Sequence, residues 1–403
     1  MAVHDVQGPD GDRRSAVSLL YNPAFRSIVF QIATVAIIVG LVYYAATNVA
    51  ANLARSGMST GFGFLNSRAG FDIGQTLIAY TPDSIYFRAF QVGLLNTLLV
   101  AFWGIITATI VGLLVGIGRL SKNWLIAKLC TIYVEIFRNI PPLLDIFFWY
   151  LGVLALLPNV RTLFQQVKDN PGAFFFISNR GVYFPAPIPG EGFSYVVGAC
   201  VLGIVAAIAF SRWATAHQLK TGQRPPVLLV NLALIIALPV AVFFLLGRPM
   251  TLDYPVPGSF NMNGGTVVGP EFLSLYLALS FYTASFIAEI VRAGIRGVAS
   301  GQTEASYALG LRSGLATRLV VLPQAMRIII PPLTSQYLNL IKNSSLAVAV
   351  GFYDLVAVGN TILNQTGHSI EVIAIWMLIY VSISLITSVF MNWFNARVAL
   401  VER

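Results

Sequence analysis

The sequence predicts an all-α, polytopic membrane protein with about eight transmembrane helices. Of its 403 residues, 57% are hydrophobic and only 10% are charged, whereas soluble domains average about 25% charged residues. Mean hydropathy is +0.76. A helix needs about 20 apolar residues to cross roughly 30 Å of hydrocarbon. The segments that meet this length are 27–47, 92–117, 129–157, 194–213, 227–247, 272–294, 331–357 and 371–394.

Charge placement predicts how these segments are oriented. The net charge is +9, but the basic residues lie between the apolar runs and do not form one patch, which argues for a lipid bilayer and against nucleic acid as the partner. If the N-terminus is inside, inner segments hold sixteen Lys and Arg residues and outer segments hold seven. Because cytoplasmic loops retain positive charge, both termini are predicted to be cytoplasmic.

The first apolar segment is predicted to be a transmembrane helix and not a cleaved signal peptide. Its run from Ile28 to Ala46 exceeds the 7 to 15 apolar residues usual in a signal peptide. Cys130 and Cys200 lie far apart with no metal-ligand spacing, so neither a disulfide nor a metal site is predicted.

The third segment carries polar residues at roughly helical spacing, namely Glu135, Arg138, Asn139 and Asp145, around a Pro141–Pro142 pair. Ionisable groups at membrane depth cost about 2.5 to 3.5 kcal/mol each and usually face a cavity or one another. Prolines lack amide donors, so a broken helix that lines a pathway is one interpretation. The favoured interpretation is local: Glu135 and Arg138 pair and fix helix packing.

Two later segments carry polar groups of the same ambiguous kind. Glu289 and Arg292 stand three residues apart at the inner end of the sixth segment, where a salt bridge that supports the next loop is favoured over substrate contact. Asn343 and Ser344 follow a break expected at Pro331–Pro332. Small polar residues commonly join membrane helices, so packing is favoured, although a charged substrate would need such contacts.

The remaining polar features give no sign of catalysis. His4, His217 and His368 are scattered over separate loops, so no triad or metal cluster is predicted, and the chain is not expected to be an enzyme. The outer segment 158–193 contains several prolines and is predicted to be irregular surface chain. Simple spacing between helices is favoured there over contact with a delivery protein.

The basic loop at about 298–325 has an ordered helical pattern. Residues Gln302 to Leu309 can form a short helix, and Gly310 is placed to take the left-handed conformation that commonly ends one. Ser313 is a candidate cap for a second helix, which Pro323 would end or kink. Two interpretations remain open: a helix that docks in a groove of another protein, or an amphipathic helix at the lipid headgroups.

The pattern Glu304-Ala305-Ser306-x3-Gly310-x9-Val320-x-Leu322-Pro323 closely resembles the EAA loop of binding-protein-dependent ABC importer permeases, in the histidine and glutamine permease branch. Ser306 replaces the usual Ala, and Val320 replaces a common Ile. Further similar stretches are 135–144, 288–294 and 341–346. The resemblance covers about 88–157 and 271–400.

The resemblance implies a core similar to the five-helix type I permease fold, interrupted by an insertion. The layout is similar to the long permease subunit of general L-amino-acid transport systems. The predicted divisions are a cytoplasmic tail (1–26), an extra helix and periplasmic segment (27–87), the first half of the permease core (88–157), an insertion with two extra transmembrane helices (158–270), and the second half of the core with the coupling loop (271–403).

The chain has no Gly-x-x-x-x-Gly-Lys-Ser/Thr phosphate loop, so it is not expected to bind ATP in the usual way. The resemblance implies partners that supply the energy. Implied are a bacterial inner membrane, a homologous second permease subunit, a dimer of ATP-binding subunits that holds ATP and Mg, a periplasmic amino-acid-binding protein and an L-amino acid substrate of broad specificity. No cofactor is expected on this chain itself. The implied ATPase-coupling residues are Glu304, Ala305, Ser306, Gly310, Leu311, Leu322 and Pro323. Candidate substrate-path or gating residues are Glu135, Arg138, Asn139, Asp145, Glu289, Asn343 and Ser344.

Two other classes of protein remain as alternatives. In an ion-coupled secondary amino-acid transporter, Glu135 and Asp145 would carry protons, although the sequence shows no clear repeat symmetry. A membrane scaffold without transport would leave the polar, proline-broken third segment unexplained.

Overall fold

The computed structural model describes residues 23–55, 61–170, 174–223, 225–258 and 262–398. Within these ranges, seven helices are long and apolar enough to cross a membrane, or eight if one bent pair is counted as a span. The prediction of an all-α polytopic membrane protein is therefore confirmed. Most of the predicted N-terminal tail, with His4, lies outside the described residues.

The first helix, α1, spans Pro23–Arg55 and is longer than the predicted 27–47. The side chains described along it are exposed, as expected of an apolar helix that faces lipid. After a short 3-10 turn at Phe62–Asn66, helix α2 spans Tyr86–Gly118. Helix α2 therefore begins six residues before the predicted segment.

The third predicted segment is broken into two arms. Helix α3 spans Trp124–Asn139, Ile140 is extended, and α4 begins at Pro142 and ends at Phe147, continuing through a π turn and a 3-10 turn to Leu156. The arms meet at 108°. The segment 129–157 is therefore broken at the proline pair, as the sequence interpretation of a broken helix expects. The cause is the proline pair, which cannot donate the backbone hydrogen bonds that would continue α3.

The insertion contains a small β unit on one side of a helical hairpin. Helix α5 spans Val160–Asp169, and the hairpin comprises α6, Phe193–Thr221, and α7, Val227–Leu232, which continues through a π turn into α8, Leu238–Leu245. The strands are β1 (Phe176–Ser178), β2 (Gly181–Phe184), β3 (Ala186–Pro189), β4 (Met250–Asp253), β5 (Val256–Pro257), β6 (Met262–Asn263) and β7 (Thr266–Val268).

All described strand pairs are antiparallel, in the orders β1-β2-β7, β3-β4 and β5-β6. The prediction that 158–193 is irregular is therefore wrong. Its prolines misled because Pro187 and Pro189 lie in a two-stranded sheet, where every strand has an open edge and proline is tolerated. Strands β2 and β3 pair with β7 and β4, which follow the helical hairpin, so no local pattern announced these two pairings.

Helix α9, Pro270–Arg296, is the centre of the bundle and packs mainly against α2 and against a later helix, α12. The approach to α2 is close enough to require glycine: a Cβ on Gly112 would lie 2.6 Å from the Cβ of Ile287. Leu275, Leu279 and Ile287 of α9 are fully buried or nearly so. This packing makes α9 the most buried of the candidate spans.

The last stretch of the chain begins with a short helix α10, Ser300–Ala308. A candidate span then runs from Ser313 to Val350 through α11 (Ser313–Ala316), a π turn (Thr317–Val321), α12 (Leu322–Asn343) and a 3-10 turn (Ser344–Val350). Helices α13, Leu355–Thr366, and α14, Ser369–Val398, follow.

The predicted segment 331–357 is thus wrong at both ends. Pro331 and Pro332 lie inside α12 and do not end it, and the span ends at Gly351 in the left-handed conformation. Transmembrane helices tolerate such prolines because neighbouring helices and local adjustments satisfy the backbone groups that the prolines free. Pro323 also does not end its helix, because the π turn Thr317–Val321 leads without a break into α12, and local π adjustments can satisfy the backbone groups that a proline frees.

Candidate functional site

The coupling loop contains the predicted short helix, which begins at Ser300, two residues earlier than expected. Glu304 and Ala305 are exposed on α10, whereas Ser306 is only 3% exposed. The Ser306 hydroxyl donates to the carbonyl oxygen of Gln302 at 2.7 Å. A small hydroxyl at this position is therefore compatible with burial, because its donor is satisfied within the helix.

Gly310 ends α10 as predicted. It has φ 74, its amide donates to the carbonyl of Tyr307 at 2.9 Å, and the Leu311 amide donates to the carbonyl of Ser306 at 3.1 Å. A left-handed residue with such bonds is a common way to satisfy the last carbonyls of a helix. The chain therefore turns sharply away from the end of α10.

The return arm of the loop differs from the prediction in one detail. Arg312 occupies the capping position of α11 and Ser313 is its first residue, with no side-chain cap. The prediction that Ser313 caps this helix is wrong. Gln324 of α12 donates from Nε2 to Oε1 of Gln302 at 3.2 Å, which ties α10 to the start of the long span.

The loop presents an apolar surface to its surroundings. Leu309 is 81% exposed. Other large apolar side chains exposed in the loop and at its return are Tyr307, Leu315, Leu319 and Leu322. Together with the small, exposed Ala305, these side chains give α10 and its return arm a surface that a groove on another protein could cover.

Glu289 is the centre of a charged cluster at the loop end of the bundle. Its carboxylate accepts hydrogen bonds from Arg292 on the same helix and from Arg119 at the end of α2. Arg138 Nη1 on α3 lies 4.0 Å from Glu289 Oε2. The predicted Glu289–Arg292 pair is confirmed, and the carboxylate also joins α2 and α3 to α9. Hydrogen bonds between charged groups, as in this cluster, are stronger than hydrogen bonds between neutral groups.

The predicted Glu135–Arg138 pair is wrong among the described residues. Glu135 is exposed, and Asn139 Nδ2 donates to its backbone carbonyl at 2.6 Å. Arg138 faces Glu289 and lies over the ring of Phe286, 5.3 Å from its centroid. The guanidinium of Arg138 therefore interacts with a carboxylate and an aromatic ring on α9, and not with Glu135 one turn away on α3.

The other predicted pathway residues are dispersed. Asp145 on α4 is 4% exposed, and its Oδ2 has no hydrogen-bond partner among the described residues. Ser344 is buried, with its hydroxyl bonded to the carbonyl of Ile341 at 2.7 Å, and Asn343 beside it is half-buried. The structure brings Glu289 and Arg138 together but does not unite Asp145, Asn343 and Ser344 with them in one cavity.

A polar cavity of about 540 Å³ lies at the end of α9 opposite the coupling loop, and we call it the distal cavity. Membrane helices line it with Asn96, Tyr150 and Glu271, and the β unit lines it with Asn179 and Arg180. The Tyr150 hydroxyl donates to Glu271 Oε1 at 3.3 Å. Sequence reasoning missed all five residues. The only local signal was the turn-forming Asn179-Arg180-Gly181 sequence, because the β unit that closes the cavity is assembled from distant segments.

The fold, the coupling loop and the charged cluster define a membrane permease component. A family model described as "Binding-protein-dependent transport system inner membrane component" matches residues 224–400. Because permease proteins up to 61% identical cover nearly the whole chain, the chain belongs to this family. The predicted resemblance is therefore confirmed, and membership removes the ion-coupled carrier and the scaffold as explanations.

Similar proteins extend over nearly the whole chain. The general L-amino acid transport system permease protein AapQ of Rhizobium johnstonii is 61% identical over 96% of this chain and 95% of its own length. The putative amino-acid ABC transporter permease protein YhdX of Escherichia coli is 49% identical, covering 97% of this chain and 99% of that protein. The glutamate/glutamine/aspartate/asparagine transport system permease protein BztB of Rhodobacter capsulatus is 42% identical, covering 96% of each.

Proposed function

We propose that this chain is the permease subunit through which an ABC importer of broad specificity moves L-amino acids, polar and charged ones included, into the cytoplasm. The observation that carries the proposal is the exposed helix α10 with its left-handed exit at Gly310. The names of the similar proteins, which refer to general L-amino acids and to glutamate, glutamine, aspartate and asparagine, support the choice of substrate class.

The energy comes from a separate partner in this proposal. A dimer of ATP-binding subunits holds ATP and Mg and receives α10 in a groove, with Glu304 and Ala305 at the contact. The chain itself binds no cofactor, in keeping with its lack of a phosphate-binding loop. A homologous second permease subunit completes the pathway, and a periplasmic binding protein delivers the amino acid.

Two contacts support a mechanical route from the loop to the bundle. The bond between Gln302 and Gln324 joins α10 to α12, so a displacement of α10 by the ATPase dimer pulls on the long span. Helix α12 packs against α9, whose Glu289 ties α9 to α2 and α3. Packed helices with fixed charged contacts move as rigid bodies and do not deform continuously. The loop and the bundle interior would therefore switch together.

The proposed location is the bacterial inner membrane with both termini in the cytoplasm. The distribution of Lys and Arg supports this orientation. It puts the coupling loop on the cytoplasmic side, where ATP is available. It also puts the distal cavity on the periplasmic side, because the cavity and the loop lie at opposite ends of α9.

The test is amino-acid uptake into proteoliposomes that contain this chain, its co-purified partners and the binding protein. Uptake of L-glutamine is expected with internal ATP and Mg and is expected to be absent with a non-hydrolysable ATP analogue. An imposed proton gradient without ATP is the control for ion coupling. Uptake driven by that gradient alone would overturn the proposal, as would uptake indifferent to ATP hydrolysis.

A further inference from the structure

The distal cavity has the size and the lining of a small-molecule site. Its volume of about 540 Å³ falls within the range of roughly 300 to 1,000 Å³ usual for ligand pockets. Its lining contains one basic and one acidic side chain, Arg180 and Glu271, together with the amides of Asn96 and Asn179. The cavity therefore offers both signs of charge and several uncharged hydrogen-bonding groups.

The β unit holds the two charged residues in a fixed relation. Arg180 lies in the turn between β1 and β2. Strand β2 pairs with β7 in a register that puts Val182 opposite Val268, and the chain reaches Glu271 three residues after Val268, in the first turn of α9. The hydrogen-bonded strands therefore connect Arg180 to Glu271 without an intervening flexible linker.

Several polar atoms in this lining lack partners among the described residues. Asn96 is fully buried, and its Nδ2 donates to the carbonyls of Gln75 at 3.0 Å and Tyr353 at 2.9 Å, which fixes the orientation of the amide. The Oδ1 atoms of Asn96 and Asn179 are buried without a donor. Because these two atoms have almost no accessible surface, they belong to the wall of the cavity and do not contact a ligand directly.

The charged groups of the lining, in contrast, are accessible to a ligand. None of the described carboxylates forms an ion pair with Arg180, and its side chain is exposed at the cavity. Glu271 is half-buried and accepts a hydrogen bond from the neutral Tyr150. A ligand that carries one carboxylate and one ammonium group would satisfy both charges, because charge-assisted hydrogen bonds are stronger than neutral ones.

The geometry points to the distal cavity as a binding site for a free amino acid, with the α-carboxylate on Arg180 and the α-ammonium group on Glu271. This inference rests on the proposed function, which makes amino acids the cargo. The groups recognised are common to all α-amino acids. The cavity would therefore receive a released amino acid without selecting among side chains, as a transporter of broad specificity requires.

The experiment measures equilibrium binding of L-glutamine to the purified transporter, with its permease and ATPase partners but without the binding protein. Arg180→Gln and Glu271→Gln are each expected to weaken binding about tenfold or more, the loss of roughly 1.4 kcal/mol or more. Arg212→Gln and Glu191→Gln make the same charge changes at exposed residues that line neither the distal cavity nor the pocket beside it and are expected to leave binding unchanged.

A second ligand tests which charge each residue binds. 4-Aminobutanamide is glutamine without its α-carboxylate, so it is expected to bind more weakly than L-glutamine and to be indifferent to Arg180→Gln. It should still lose affinity in Glu271→Gln. Arg180→Lys, which keeps the positive charge but not the planar fork, is expected to retain part of the affinity for L-glutamine.

Two results would overturn the inference: no saturable binding by the wild type up to millimolar L-glutamine, or equal affinities in all variants. Intact glutamine binding in Arg180→Gln, with weaker stimulation of ATP hydrolysis by the binding protein, would instead identify a docking surface and would also overturn it. ATP-driven uptake by the same wild-type preparation, reconstituted into proteoliposomes with the binding protein added back, separates the two proposals. Absent uptake contradicts the proposed function, whereas normal uptake without cavity binding contradicts only the cavity assignment.

Discussion

Substitution of Gly310 by alanine is expected to weaken docking of the proposed ATPase subunit through backbone strain alone. Gly310 has φ 74, and a Cβ added there would have no neighbour within 4 Å, so no collision accompanies the change. An L-residue other than glycine pays roughly 1 to 2 kcal/mol in the left-handed region. Alanine therefore favours other conformations of the exit from α10 by that amount.

A strain of this size lowers the ratio of the docking-competent loop to its other conformations about 5- to 30-fold. The apparent dissociation constant for the ATPase subunit should rise by up to the same factor, because affinity falls with the competent fraction. The assay titrates labelled ATPase subunit onto the permease in lipid nanodiscs, and parallel proteoliposomes measure ATP-driven uptake. Uptake should recover when the ATPase subunit is present in excess.

Gly314→Ala is the matched control in the same loop. A Cβ at Gly314 also meets nothing within 4 Å, but its φ is not in the left-handed region. As a residue of α11, it should be neutral or slightly stabilised by alanine, the better helix former. Equal effects of the two alanine substitutions would refute the reasoning, and so would uptake that stays lost in Gly310→Ala at saturating ATPase subunit.

Three further substitutions test the bundle and the loop. Glu289→Gln, which leaves the clustered arginines without a carboxylate, should destabilise the fold by about 1.5 to 3 kcal/mol and lower the thermal unfolding midpoint. The control Asp83→Asn, which breaks an exposed ion pair, should change stability by less than about 1 kcal/mol. Equal shifts of the midpoint in the two variants would contradict the assigned role of the cluster. Gly112→Ala should lower the free energy of unfolding by about 1 to 3 kcal/mol through overpacking, measured in the same unfolding assay. The control Gly40→Ala, which has no atom near its added Cβ, should leave the free energy of unfolding unchanged. An unchanged midpoint for both variants would show that α2 and α9 are not in close contact. Ser306→Ala should retain ATP-driven uptake, since the hydroxyl bonds only within its own helix, and a large loss of uptake would mean that this hydroxyl contacts a partner.

The coupling loop was predictable because the interactions that shape it are local. The end of α10 at Gly310 depends on bonds to Tyr307 and Ser306, all within a few residues, and turn chemistry of this kind is visible in a sequence. The apolar lengths of the spans are equally local properties. What these signals could not give was the partner of any side chain outside its own helix.

The charged cluster shows this limit clearly. Arg119 and Glu289 are 170 residues apart, so nothing near either residue announces their contact. Spacing within one helix suggested that Arg138 pairs with Glu135, but the carboxylate that Arg138 approaches is Glu289 on α9. The lining of the distal cavity escaped prediction for the same reason, since its walls come from segments that meet only in the folded chain.

The two proline pairs received the same sequence interpretation and have opposite outcomes. Pro141–Pro142 separates two helices at a bend of 108°, whereas Pro331–Pro332 lies inside a continuous α12. The missing amide donors are identical in the two pairs. The difference therefore arises from what surrounds each helix, which local reasoning does not include.

The β unit also holds the two ends of the α6–α8 hairpin next to each other. Strands β3 and β4 bring the chain entering the helical hairpin beside the chain leaving it, and the Gly190 amide donates to the Pro249 carbonyl at 3.1 Å. A tight turn could join these two points without moving either strand. The hairpin of α6 to α8 is therefore expected to be removable, with Arg180 kept in the lining of the distal cavity.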